Sequence, residues 1–136
     1  MKKTSVIRKE HFNSAHRLHN PNWSDEKNLS FYGKCNNPNF HGHNYDLEVT
    51  VTGITDEESG YLIDMKKLSN LIKNEVLDRF DHKNLNLDVL EFKNLNPTAE
   101  NISKVIYDKL RKQLDLKFEL KIKLYETERN IVVYPA

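Results

Sequence analysis

Three side chains in one short stretch carry the strongest chemical signal of this chain: Cys35, His41 and His43, within Gly33-Lys34-Cys35-Asn36-Asn37-Pro38-Asn39-Phe40-His41-Gly42-His43-Asn44-Tyr45. Cys35 is the only thiol among 136 residues. His41 and His43 stand two apart where an alternating strand pattern begins, and side chains two apart on a strand share a face. The two imidazoles can therefore converge on one point. That arrangement suits Zn²⁺, which takes neutral imidazole nitrogen at about 2.0–2.1 Å in tetrahedral geometry.

Two ligands from one strand do not hold a tetrahedral ion, and the best third donor upstream is His16, in Phe12-Asn13-Ser14-Ala15-His16-Arg17-Leu18. It ends a first strand-like segment able to lie beside the second. Three histidines with one vacant position make the catalytic kind of zinc site, whereas a structural site more often closes with a fourth Cys or His. Cys35 is then either that fourth ligand or a separate reactive group. A His-x-His pair by itself also reads as exposed or hydrogen-bonded histidines, and one free Cys as a small buried hydrophobe. Their coincidence in a single Gly/Asn/Pro loop favours chemistry.

The elements that must position these residues follow from pattern. Residues 5–15 are β-compatible and lead to His16. From about His19 to Phe40 the chain reads as a long polar loop with Pro21, Gly33 and Pro38, and ordered loops of that length are usually functional or mobile. Tyr45, Leu47, Val49 and Val51 alternate with Asp46, Glu48, Thr50 and Thr52, the mark of a half-buried strand. Asp64 suits the N-cap of a helix over about 65–79, with Leu68, Leu71, Ile72, Val76 and Phe80 as its apolar stripe. A second helix begins near Pro97-Thr98-Ala99-Glu100, capped by Thr98, with Glu100 at the positive end of its dipole and Ile102, Val105, Ile106, Leu110 and Leu114 buried. Alternation returns at Phe118, Leu120, Ile122 and Leu124, and after a turn at Thr127–Asn130 the stretch Ile131–Tyr134 is a last strand. The order β-β-α-α-β-β predicts an α+β fold with a four-stranded antiparallel sheet and two helices on one face.

Composition bounds the partners. Lys and Arg number 21 against 20 Asp and Glu, so no global basic field argues for nucleic acid. One cysteine makes no internal disulfide. Two lysines follow Met1, but no apolar run stands behind them as in a signal peptide, and no segment approaches the roughly 20 apolar residues of a membrane span. The expectation is a cytoplasmic protein of one domain, 1–136, with no membrane or nucleic-acid partner.

Two further groups have chemical use. In Phe80-Asp81-His82-Lys83-Asn84-Leu85, a loop Asp can accept from an imidazole N–H, raise its basicity and fix its tautomer. Glu126, at a strand end, can accept two N–H donors from a guanidine-like ring in a charge-assisted, directional pair. The plain readings are a solvated loop pair and an exposed strand-end charge.

Taken together, GKCNNPNFHGHNY, FNSAHRLHNP, DHKNL, PTAEN and YETERNIVVY resemble, in order and over essentially the whole chain, the 6-pyruvoyltetrahydropterin synthase and 6-carboxytetrahydropterin synthase family. The resemblance implies the tunnelling fold (T-fold), with three sheets closed into a trimeric barrel and two trimers stacked into a homohexamer. It implies His16, His41 and His43 as zinc ligands, Cys35 as general base, and Asp81 with His82 as supporting acid/base pair. Glu126 matches the carboxylate that holds the pterin, with Thr98 and Glu100 near it. His11 and His19 match no functional position. The implied activity is a zinc-dependent lyase acting on 7,8-dihydroneopterin triphosphate, with no redox cofactor.

Two branches of that family meet in the sequence. Five residues between Cys35 and His41, with the loop Ser24–Leu29, resemble the pyruvoyl branch of tetrahydrobiopterin synthesis. Pro97–Glu100 and the run Gly60–Asp64 resemble the bacterial carboxy branch that feeds 7-deazaguanine and queuosine synthesis. The Lys/Asn-rich composition suggests an AT-rich bacterial genome, and on that ground the expected products are 6-carboxytetrahydropterin, acetaldehyde and triphosphate. The alternative is 6-pyruvoyltetrahydropterin synthase; a more distant one is a non-catalytic zinc or pterin-binding module in which Cys35 closes the metal site.

Overall fold

The alternating apolar residues of the central strand dictate how the sheet is covered. In the computed structural model, which describes residues 2–136, β1 (Thr4–His16) and β2 (His41–Gly53) pair antiparallel over their whole length, from Thr4 opposite Gly53 to His16 opposite His41. β2 in turn pairs antiparallel with β4 (Glu119–Tyr125), and β4 with β5 (Ile131–Tyr134). Tyr45, Leu47, Val49 and Val51 point to one side with Leu120, Ile122 and Leu124, and all are buried. Their neighbours on the other side pair across strands through polar groups, as Ser5 does with Thr52 and His11 with Asp46.

Two amphipathic helices cover the apolar side. The first, α2, runs through Met65–Ile72, Lys73–Leu77 and Asp78–Phe80, and Asp64 caps it by accepting from the Lys66 N–H. Its buried residues, Leu68, Ile72, Val76 and Phe80, are spaced by four throughout. A helix of 3.6 residues per turn rotates such a row steadily off one face. The helix answers by widening over Lys73–Leu77 to a π turn, where the Asp78 N–H bonds back five residues to the Lys73 carbonyl. The other, α4 (Ala99–Arg111), starts at Thr98, whose hydroxyl accepts from the Asn101 N–H. It buries Ile102, Ile106 and Leu110. Phe12, stacked 4.9 Å from Tyr45 and edge-on 5.9 Å from Phe80, joins β1, β2 and α2 at the core's centre.

The expected four-stranded antiparallel sheet of order β-β-α-α-β-β is corrected in two places. The sheet has five strands in the order β3-β1-β2-β4-β5, the extra one being β3 (Lys83–Asn84), which runs parallel to β1. It is only two residues long, too short to leave an alternation in sequence. The expected polar loop from His19 to Phe40 contains a helix, α1 (Asp25–Tyr32), followed by a tight turn over Gly33–Asn36. α1 carries no apolar stripe because only Asn28 is buried, so periodicity has nothing to report. It is held by its Ser24 cap, by Asn28 bonding to Asn20, and by the Trp23, Phe31 and Tyr32 rings. A short α3 (Leu85–Asp88), capped by Asn84, and a tight turn over Leu90–Phe92 lie between β3 and α4. Among the described residues no helix is long and apolar enough to cross a membrane.

Candidate active site

The end of β1, the start of β2, the end of β4 and the start of α4 meet at one end of the sheet, and the histidines are there. His16 lies opposite His41 in the β1–β2 ladder, and His43 follows on the same face as His41. One donor atom from each of His16, His41 and His43 lies within 4.8 Å of the others. Imidazole nitrogens bound to one tetrahedral ion at 2.0–2.1 Å stand about 3.4 Å apart, so modest side-chain rotation closes the set.

The chemistry of these donors fits a metal. The His16 ring is buried, and its Nδ1–H donates to the Pro97 carbonyl at 2.7 Å, which leaves the lone pair on Nε2. That Nε2, like Nδ1 of His41, is buried without a hydrogen-bond partner. An orphaned buried acceptor costs free energy unless something occupies it. Burial lowers the His16 pKa from 6.5 to about 4, the Pro97 carbonyl opposing and the other two histidines assisting; His41 is lowered too, by burial and by His43. Both rings are therefore held in the neutral form that binds metal. A carbonyl holding the far side of a ligating imidazole is the usual way its orientation is set.

Cys35 is delivered by the turn Gly33–Asn36, which is tied to the residues just after His16. The Leu18 N–H donates to the Cys35 carbonyl at 2.8 Å, Arg17 Nε donates to the Asn36 carbonyl at 2.8 Å, and the Asn36 amide donates to the Leu18 carbonyl. The thiol is half-buried and stands outside the group of donors that includes the three histidines. Phe40, immediately before His41, has φ of 68°, a conformation that costs a non-glycine residue about 1–3 kcal/mol and recurs at functional sites.

Glu126 follows Tyr125, the partner of Asp46, and so turns to the face of His43 and Tyr45. Its Oε2 is 4.0 Å from His16 Nε2. Burial pushes its pKa above the usual carboxylate range, Glu100 adds to the rise and His43 opposes it. Glu100, in the first turn of α4, is thus close enough to act on Glu126. Thr98, expected beside the substrate, caps α4 by accepting from the Asn101 N–H, which leaves its O–H free to donate.

Asp81 and His82 stand on the outer edge of β1, at Asn13. They pair with each other at 3.0 Å, while Asp81 accepts from the Asn13 N–H at 2.9 Å and the His82 N–H donates to the Asn13 carbonyl. The Asn13 bond, with His82 beside it, holds the Asp81 carboxyl below its ordinary range. Among the described residues no hydrogen bond or ion pair joins this pair to the three histidines, and the His82 side chain is 84% exposed with φ of 61°. Sequence reasoning missed Pro97 as the carbonyl that orients His16; nothing in a residue type reports a backbone acceptor.

Three histidines thus end this sheet, with a carboxylate 4.0 Å from His16 and the lone thiol on a turn bonded to the residues that follow it. The family model for 6-pyruvoyl tetrahydropterin synthase matches residues 5–136. Over 129 residues the chain is 43% identical to human 6-pyruvoyl tetrahydrobiopterin synthase, covering 95% of this chain and 89% of that one. It is 43% identical over 135 residues to the enzyme of the same name from Dictyostelium discoideum, covering 98% of each. The structure of Caenorhabditis elegans 6-pyruvoyl tetrahydropterin synthase superposes with a TM-score of 0.92 at 38% identity, covering 98% of this chain and 96% of that one. The chain belongs to the 6-pyruvoyl tetrahydropterin synthase family.

Proposed function

We propose that this protein is a zinc-dependent lyase that converts 7,8-dihydroneopterin triphosphate to 6-pyruvoyltetrahydropterin with release of triphosphate. The observation that carries the choice of product is the agreement between the five-residue spacing from Cys35 to His41 and relatives of that name at 43% identity over nearly the full chain. The relatives thus favour the alternative branch over the carboxy product expected from the Pro97–Glu100 and Gly60–Asp64 resemblances.

His16, His41 and His43 hold the zinc, and Pro97 orients His16. Zinc bound there supplies a Lewis acid that polarises the hydroxyls of the substrate side chain. Cys35, outside the ligand group, takes a proton from the adjacent carbon as thiolate. Glu126 accepts the N–H groups of the pterin's guanidine-like edge, with Glu100 beside it. Asp81 and His82 act at the site of a neighbouring subunit in a homohexamer. Two observations favour that placement: the exposure of His82, and the outer edges of β5 and of β1 ahead of Asn13, which long strands cover or pair. The whole chain works as one catalytic unit in the cytoplasm.

The test is product analysis. Zinc-loaded protein incubated with 7,8-dihydroneopterin triphosphate yields 6-pyruvoyltetrahydropterin by mass, without acetaldehyde. Stoichiometric acetaldehyde with 6-carboxytetrahydropterin assigns the chain to the carboxy branch instead. Failure to turn over a bound pterin returns it to a binding module.

A further inference from the structure

The outer edge of β1 is zipped, beside the histidines, to the segment that follows α2. Peptide groups of an edge strand turn outward at every second residue. At Asn13 the outward N–H and carbonyl meet the Asp81 carboxylate and the His82 N–H. At Ala15 they fall within the parallel pairing to β3, which sets Ser14 opposite Lys83 and Ala15 opposite Asn84. The next outward position is Arg17, but there β3 has ended and the backbone has turned into α3.

The Asn86 side chain fills the gap. Its Oδ1 accepts from the Arg17 N–H at 2.8 Å, and its Nδ2 donates to the Arg17 carbonyl at 2.9 Å. A carboxamide offers the same donor and acceptor pair as a peptide group. We infer that Asn86 is a positioning residue for the metal centre: it continues the β1–β3 ladder by one side-chain rung and pins the backbone on the far side of His16. His16 is then flanked by held residues at Ala15 and Arg17, while Pro97 fixes its ring. Aspartate at this position keeps the acceptor but sets a carboxylate oxygen against the Arg17 carbonyl.

This inference rests on the proposed metal role of His16, His41 and His43, and its test separates the two. Zinc affinity is measured by chelator competition, without substrate, for the wild type and for Asn86→Ala, Asn86→Asp and Asn94→Ala, the last an exposed asparagine. Removing a group that orients a ligand costs about 10–100-fold in metal affinity, so that loss is expected for both Asn86 variants and none for Asn94→Ala. Cobalt substituted for zinc should show a shifted visible spectrum in the Asn86 variants. A wild type that binds no zinc defeats the metal centre itself. Tight zinc in the wild type, with Asn86→Ala or Asn86→Asp within about twofold of it, defeats only the positioning role. Should both variants fail to fold, hydrogen exchange of the wild type decides: the Arg17 amide is expected to be protected like that of Asn13, and free exchange at Arg17 overturns the inference.

Discussion

His16 and His41 are direct partners at the last rung of the β1–β2 ladder, their rings 4.6 Å apart and inclined at 65°. The long antiparallel register therefore sets the histidine cluster: a one-residue slip turns every side chain of a strand to the other face and separates the imidazoles. Thirteen consecutive pairings from Thr4 to His16 hold that register against a core led by Phe12 and Tyr45.

Metal content should depend on all three histidines. About one zinc per chain is expected by elemental analysis, falling to background in His16→Ala as in His43→Ala, because two imidazoles from β2 do not complete a tetrahedral set. Full zinc in His16→Ala would move the third ligand elsewhere.

The metal-free protein should lose stability in acid. A folded-state pKa of about 4 for His16, below the 6.5 of an unfolded chain, means that the unfolded state binds more protons between those values. Stability is then complete above pH 6.5, declines as pH falls toward 4, and is flat below; the loss from this group is about 3 kcal/mol. His41 shifts in the same direction and steepens the decline. Denaturant midpoints of chelator-treated protein across that range check it, and His16→Gln should flatten the profile.

Cys35→Ser should retain zinc and pterin binding while losing about 10²–10⁴-fold in turnover, the usual contribution of a positioned base. The reason is structural: the thiol lies outside the ligand group, on a turn fixed to Leu18 and Arg17. Loss of zinc in this variant as severe as in His43→Ala would make Cys35 a ligand.

Some of this architecture was open to reading from residues alone. Strict alternation marked β2 and β4 because one face of each is buried and the other polar, and Asp64 and Thr98 announced their helices because capping uses side chains. α1 escaped because it buries only Asn28, and β3 because it is joined through backbone groups that any residue supplies. At the site, His16, His41 and His43 were legible as imidazoles able to converge, and Glu126 as a strand-end carboxylate, but its approach to within 4.0 Å of His16 was not. The separation of Asp81–His82 from them was not, since it depends on the Asn13 peptide group rather than on a side-chain pattern.

Thr98 separates cap from contact. Thr98→Ala removes the acceptor for the Asn101 N–H and should cost about 1 kcal/mol of stability, whereas Thr98→Ser keeps it. Thermal unfolding beside substrate KM resolves the two roles. A rise in KM for folded Thr98→Ala that Thr98→Ser reverses would give the hydroxyl a substrate contact as well as the cap, whereas an unchanged KM leaves it to the cap alone.

Glu126→Gln should weaken pterin binding and leave zinc in place. The carboxylate sits partly buried, with burial and Glu100 raising its pKa and only His43 opposing, so its charge lacks a full set of donors within the chain. A guanidine-like edge brings two N–H groups to it, and hydrogen bonds to a charged group contribute about 1.5–3 kcal/mol each. Glutamine keeps the shape but presents one amide N–H₂ where an acceptor is required, setting donor against donor. Titration of a dihydropterin followed by fluorescence should therefore show affinity reduced by about 10-fold or more, with elemental analysis unchanged. Equal affinity in Glu126→Gln would remove Glu126 from the pterin site and leave it only as the carboxylate 4.0 Å from His16.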